Sequence, residues 1–310
     1  MIISKYDRFL KDVRKNAAQS NTKHLFEAIA NEPEQFITFC NTKELKSMYT
    51  SVFERMSKYI DKNQTLSELL VQIVEYDLEL FIHSLNVTVY SLGIAHKIQL
   101  NNNAMFAIAL SGLIHDIGKL SVPTEVLYKP GKLTAEEFEV MKKHSEIGFR
   151  TLAKTPLPSY MTVATLQHHE RLDGTGYPNR LTSEQIHPFA KLIAVADVFD
   201  ALTQERCYKK AMTPEKALNI ILEDSGTKFD SDMVQAMTEL VCDYPVNSLV
   251  KLNTDETYVV IRQTHVSYKP IIENINTYER IDLSKCDDKF IVEVAPTLLF
   301  NQALNNSKIA

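Results

Sequence analysis

Six of the nine histidines in this 310-residue chain lie between His83 and His169, and no other feature restricts its folding as much. Five of them, His83, His115, His144, His168 and His169, fall mostly on different predicted helices. Imidazoles spread in this way act together only if a bundle turns several helix faces onto one cavity. Bundles build metal sites by that route, often with Glu or Asp bridging two ions. Glu79, Asp116 and Asp197 are the carboxylates available. His96 is set aside, because at about 100° per residue it faces roughly 140° away from His83 on their shared helix.

The remaining sequence suits such a bundle. Only eight Gly and eleven Pro interrupt a chain that is 45% hydrophobic, and long stretches mix Leu, Ile, Glu, Lys and Ala. That composition favours helix over sandwich or barrel. Helical spacing runs from Thr65 to Gln99 without a Pro, which predicts one long helix carrying both Glu79 and His83 on a single face. Further helices are expected over Ala104 to Asp116, ended by Gly118, and from a Thr134/Glu137 capping box through Leu152. Ser159 to Arg171, Pro188 to Thr203, Pro214 to Glu223 and Asp230 to Cys242 complete the set, with Thr213 and Pro214 as N-cap and first helical residue. After Pro245 the stretches SLVKL, TYVVIR and KFIVEV alternate apolar and polar residues, and short antiparallel strands are expected there. Three regions follow: a helical segment over 1–62, the bundle over 63–244, and a small β-rich extension over 245–310.

Several classes of function are disfavoured. Cys40, Cys207, Cys242 and Cys286 form no CxxC pair, so neither a zinc knuckle nor a disulfide framework is expected, and a reducing, cytoplasmic setting fits. The first residues, MIISKYDRFLKDVRKN, turn charged at Lys5 without the apolar core of a signal peptide, and the apolar stretch Ala104 to Ile114 is broken by Ser111 and Gly112, so no membrane span is expected. A net charge of −5 argues against salt-driven binding to a nucleic-acid polymer.

An HD dipeptide such as His115–Asp116 means little alone. The longer HDxGK string in His115, Asp116, Gly118 and Lys119 is rarer, at roughly one chain in a thousand of this composition, and the GYP of Gly176 to Pro178 adds to it. The blocks LIHDIGKLSVPTEVLYKPGKLTAEEFEVMKKHSEIG, LQHHERLDGTGYP and IAVADVFDALTQERCYKKAMTPEKAL together resemble the successive signature blocks of the HD-GYP phosphodiesterase family, over about His83 to Leu240. The departures are small: Ser145 and Cys207 stand where Pro is frequent in that family.

The resemblance implies a mainly α, HD-type helical bundle. It implies metal ligands at His83, His115, Asp116, His144, His168, His169 and Asp197, with Asp116 bridging two ions. Glu79 stands where some members carry a ligand to a third. Such a donor set has five imidazoles and no thiolate, which suits iron or manganese in open octahedral sites. The implied reaction is hydrolysis of cyclic di-GMP to linear pGpG, and onward to GMP, by metal-activated hydroxide. Asp116 and Lys119 would be catalytic, with Lys119, Arg206 and Lys209 on substrate phosphates. Tyr177 would stack on a base or contact a partner, and Asp200 would orient a ligand histidine or bind guanine. Rival readings are a phosphodiesterase for cyclic GMP-AMP, and a non-catalytic receptor that docks diguanylate cyclases through the GYP loop. The N-terminal 62 residues leave dimerisation, regulated access and plain packing open.

Overall fold

The computed structural model describes residues 42–204, 211–241, 244, 248–262, 264 and 269–295. They fall into two compact units, a helical one containing Thr42–Leu240 and a second beginning at Val241.

In the helical unit the apolar pattern sorts helices into layers. Helices α1 (Thr42–Asp61) and α2 (Gln64–Tyr76) bury one stripe each, Tyr49, Val52, Phe53, Met56 and Ile60 in the first and Leu66, Leu70, Ile73 and Val74 in the second. That i, i+3, i+4, i+7 spacing marks outer helices. Helix α3 (Leu78–Lys97) is buried almost without interruption from Leu80 to Ala95, and α4 (Asn102–Ile114) from Met105 to Ile114. A helix apolar on every side belongs at the centre of a fold. Two spans, Leu78–Lys97 and Asn102–Ser121, are long and apolar enough to cross a membrane, yet they are 83% and 78% buried inside this unit and serve as its core. The short α5 (Thr124–Leu127), α6 (Ala135–Leu152), α7 (Ser159–Gln167), α8 (Pro188–Thr203), α9 (Pro214–Glu223) and α10 (Ser231–Leu240) complete the bundle.

Local chemistry sets the boundaries. The Thr134 hydroxyl accepts from Glu137 N while the Glu137 carboxylate accepts from Thr134 N, the predicted capping box. Thr213 caps α9, with Pro214 as its first residue. The single helix expected from Thr65 to Gln99 is instead two helices. Asp77 turns extended (φ −155°) and its carboxylate accepts from Glu79 N and Leu80 N, so a side-chain cap ends one helix and starts the next without Pro or Gly. Helices α4 and α7 both stop short of their expected ends, at Ile114 and Gln167, so Asp116 and His169 lie beyond helical backbone.

The second unit is an antiparallel five-stranded sheet in the order β4-β3-β2-β1-β5, from β1 (Leu249–Leu252), β2 (Thr257–Arg262), β3 (Ile271–Asn274), β4 (Arg280–Asp282) and β5 (Ile291–Ala295). Register pairs such as Val250 with Tyr258 and Ile272 with Ile281 put alternate side chains into a core with Leu252, Val260 and Leu283.

Candidate metal centre

The helix ends carry the site. Just past Ile114, where α4 ends, His115 keeps helical φ/ψ and Asp116 departs from them (φ −102°), and both side chains are buried in the bundle interior at 0% and 1% exposure. Asp116 opens a 3-10 turn over Ile117–Ser121. That turn lies against α6 so closely that a Cβ on Gly118 would fall 1.9 Å from the His144 carbonyl oxygen, which explains the glycine of the HDxGK string. At the end of α7 the paired histidines also converge, with the His168 and His169 ring centroids 4.0 Å apart. His83 comes from the second turn of α3, His144 from the middle of α6, and Asp197 and Asp200 from α8.

Seven residues drawn from these elements converge as two groups, Asp116 with His144, His168 and His169, and His83 with His115 and Asp197. Within each group the candidate ligand atoms all lie within 4.8 Å of one another. Asp116 joins the groups. Its Oδ2 lies 3.5 Å from His83 Nε2 and 3.4 Å from His115 Nε2, and its Oδ1 lies 3.3 Å from His144 Nε2 and 3.6 Å from His168 Nε2. Asp197 is similarly divided, with Oδ1 3.1 Å from His83 Nε2 and Oδ2 4.0 Å from His169 Nδ1.

The imidazoles are held in one tautomer from behind. The Nδ1 atoms of His115 and His144 each lie 2.7 Å from a backbone carbonyl, of Gly112 and Met141, and that of His168 lies 3.1 Å from those of Ala164 and Thr165. Carbonyls only accept, so Nδ1 carries a proton in each ring; Nε2 of His144 and His168 presents its lone pair to the cavity, and that of His115 does so once a second proton has left. His83 Nδ1 faces Asp200 Oδ2 at 2.6 Å. The Nε2 atoms of His144 and His168 then meet at 3.4 Å, lone pair against lone pair. His83 Nε2, His115 Nε2 and Asp116 Oδ1 are buried without a hydrogen-bond partner. Buried polar atoms of native proteins are normally satisfied, and a set of facing acceptors is satisfied by a shared cation. The donor set fits divalent metal.

Charge divides the two groups as well. Burial pushes His144 down to about 3, helped by Lys119 and His168, and it lowers His168 and His169 too, so these three imidazoles are neutral. Burial also opposes charge on His83 and His115, but the carboxylates around them prevail and raise them to about 10 and about 9. Asp116 and Asp197 are held well below the usual carboxylate range by the cations and imidazoles around them, against burial.

The other expected residues distribute unevenly. Lys119, 15% exposed, donates to Asp116 Oδ2 at the edge of the pair. Asp200 is 1% exposed behind His83, with its Oδ2 against His83 Nδ1. Glu79 is exposed in the first turn of α3 and belongs to neither group. Exposed His96 is also outside both. Tyr177 stacks on the His169 ring at 4.6 Å. Arg206 and Lys209 lie outside the described residues.

Two residues of the GYP loop escaped the sequence reading. Glu170, 2% exposed, accepts from Asn179 N at 2.7 Å and Leu181 N at 2.9 Å, and Arg171 donates to the His168 and Glu170 carbonyls. A Cβ on Gly176 would lie 2.4 Å from Glu170 Cα, so the loop closes directly over the paired histidines. The available signal was a carboxylate and a guanidinium immediately after two ligand-type residues.

A helical bundle that gathers an HD pair and five further His and Asp side chains into a joined site defines a class, and this chain belongs to the HD domain family, whose model matches residues 52–233. With Gly176 against the His169 backbone and Tyr177 stacked on the His169 ring, it is of the HD-GYP type. It is similar to a cyclic di-GMP phosphodiesterase of Pseudomonas aeruginosa, 39% identical over 195 residues that cover 63% of this chain and 47% of the relative. A cyclic di-GMP phosphodiesterase of Thermotoga maritima is 36% identical over 201 residues, 64% of this chain and 55% of the relative. A 3'3'-cGAMP-specific phosphodiesterase of Vibrio cholerae is 33% identical over 193 residues, 60% of this chain and 37% of the relative. The chain spans about half the length of the first two of these relatives.

Proposed function

We propose that this chain hydrolyses cyclic di-GMP to linear pGpG, and pGpG onward to GMP, at a centre of two divalent cations. The observation that carries the reading is the division of Asp116, whose two oxygens face different pairs of imidazoles. In this reading His83, His115 and Asp197 would hold one cation, His144, His168 and His169 would hold the other, and Asp116 would serve both. Cations held there would supply Lewis acidity for a water nucleophile and for the charge that develops on the attacked phosphate. Water adds to phosphorus as the P–O3′ bond breaks, leaving a 5′-phosphate and a 3′-hydroxyl.

The chain's own groups contribute around that step. Lys119 Nζ, at the cavity edge, neutralises a non-bridging phosphate oxygen, and Arg206 and Lys209 serve the second phosphate. Asp200 fixes His83 through Nδ1. Iron and manganese suit the imidazole–carboxylate set, and Glu79, one turn before His83, is the side chain closest in sequence to serve a third ion. The cytoplasm is the proposed compartment, and diguanylate cyclases are proposed docking partners of the GYP loop.

A second reading, cyclic GMP-AMP as substrate, is favoured by the similarity to the Vibrio cholerae enzyme. One experiment separates the possibilities. The protein is purified anaerobically, iron and manganese per chain are counted, and the products from each cyclic dinucleotide are followed beside an Asp116→Ala variant. Turnover of cyclic di-GMP with about two cations per chain supports the reading; turnover equal to that of the variant overturns it.

A further inference from the structure

Phe138 is 45% exposed and stands between one and two turns before His144 on the same helix. Its ring meets Tyr177 edge to face at 6.0 Å, and Tyr177 in turn stacks on His169 at 4.6 Å and 27°. Three rings therefore run outward without a gap from the second ligand group to the surface. Lys142 Nζ sits 5.2 Å from the Phe138 centroid and 5.9 Å from that of Tyr177, and pairs with Glu139. A half-exposed ring and a cation are thus held together at the outer end of a row that begins at a candidate metal ligand.

We propose that Phe138, with Lys142, forms the stacking subsite for one purine of the cyclic dinucleotide, and so contributes affinity and specificity that the metal centre lacks. The inference rests on the reading of the site as a cyclic dinucleotide phosphodiesterase. A metal pair grips any phosphodiester alike, whereas an aromatic face discriminates in favour of one bearing a base. With successive centroids 4.6 Å and 6.0 Å apart, Phe138 is near enough to His169 for a base to meet the ring while its phosphate lies at the ligand group. The ammonium complements the charge of the sugar–phosphate ring and polarises the stack. Base–aromatic stacking of this kind is worth about tenfold or more in affinity when the ring is removed.

The test compares manganese-loaded wild-type protein with Phe138→Ala and Phe138→Trp variants on two diesters, cyclic di-GMP and sn-glycero-3-phosphocholine, which carries no ring. The expected result is that Phe138→Ala raises the ratio of the two KM values about tenfold with little change in kcat for cyclic di-GMP, and that Phe138→Trp restores it. A ratio equal to that of the wild type, or an equal loss on both diesters, overturns the subsite. Where turnover of cyclic di-GMP is absent, the same variants are compared by its Kd. Tenfold weaker binding by Phe138→Ala then supports the subsite although the hydrolytic reading has failed, and a wild-type protein that does not bind cyclic di-GMP overturns both.

Discussion

Asp200 Oδ2 lies 2.6 Å from His83 Nδ1, and both side chains are buried within the bundle. A carboxylate at Nδ1 fixes the ring and makes Nε2 a stronger donor toward a cation, a role whose loss typically costs 10–100-fold in metal affinity, as an order of magnitude. Asp200→Asn preserves shape and removes the charge. The expected outcome is roughly 10–100-fold weaker metal retention during dialysis against graded chelator. Retention matching the wild type would remove Asp200 from the account of the site.

Gly118 sits where the 3-10 turn after Asp116 crosses α6. A methyl group there would meet the His144 carbonyl oxygen at 1.9 Å and Gly148 N at 2.7 Å, both backbone atoms with no rotamer to escape by. Gly118→Ala must therefore separate the turn bearing Lys119 from the helix bearing His144, at a cost of about 1–3 kcal/mol or more. Thermal unfolding of chelator-stripped protein isolates this packing effect from metal loss. The variant should unfold about 2–4 °C lower for each kcal/mol, and a midpoint within about one degree of the wild type contradicts the crowding argument.

Much of this geometry was legible because the chemistry is local or the motif is long. Thr134 with Glu137, and Thr213 with Pro214, announce helix starts through side chains that satisfy the first N–H groups, and both helices begin there. The seven converging residues were named from the HD, HH and neighbouring blocks, and the structure brings all seven together. The break at Asp77 was not legible, because an aspartate inside a helical pattern caps or continues according to what packs around it. The ends of α4 and α7 were missed for a related reason. His115 and His168 keep helical φ/ψ at the caps and the helices end there without a Gly or Pro, so nothing in the HD and HH pairs themselves announces the end. Strands β3 and β4 have four and three residues and depend on partners distant in sequence, so alternation alone carried too little signal.

Proton release offers a separate check on which imidazoles receive metal. In chelator-stripped protein His83 and His115, raised to about 10 and about 9, are charged at neutral pH, whereas His144, pushed to about 3, is neutral. A cation needs the Nε2 lone pair, so filling the His83 group displaces about two protons and filling the His144 group displaces none from that ring. Metal affinity should therefore rise with pH from about 7 and level off above about 10. Stability of the stripped protein moves the opposite way. A folded pKa above the unfolded value of about 6.5 gives stability that is complete below 6.5 and is lost as pH climbs through 9 to 10. Calorimetric titration in buffers of different ionisation enthalpy measures the release, and zero protons at pH 7 would refute the charged state of this pair.

Glu170 provides the last case, because it is a buried carboxylate that holds backbone. Its two oxygens accept from Asn179 N and Leu181 N, and that grip shapes the loop whose Tyr177 ring lies 4.6 Å from His169. In Glu170→Gln one of the two N–H groups faces an amide donor, and the lost bond with its unsatisfied partner costs about 1–3 kcal/mol. The cost falls on the loop, since the helices that present His83, His115 and Asp197 share no hydrogen bond with Glu170 among the described residues. Amide exchange at Asn179 and Leu181 should accelerate about tenfold or more while exchange along α4 stays at its wild-type rate. Acceleration spread evenly through the bundle would mean that Glu170 supports the whole fold; acceleration confined to the loop means that it positions the wall against which His169 is held.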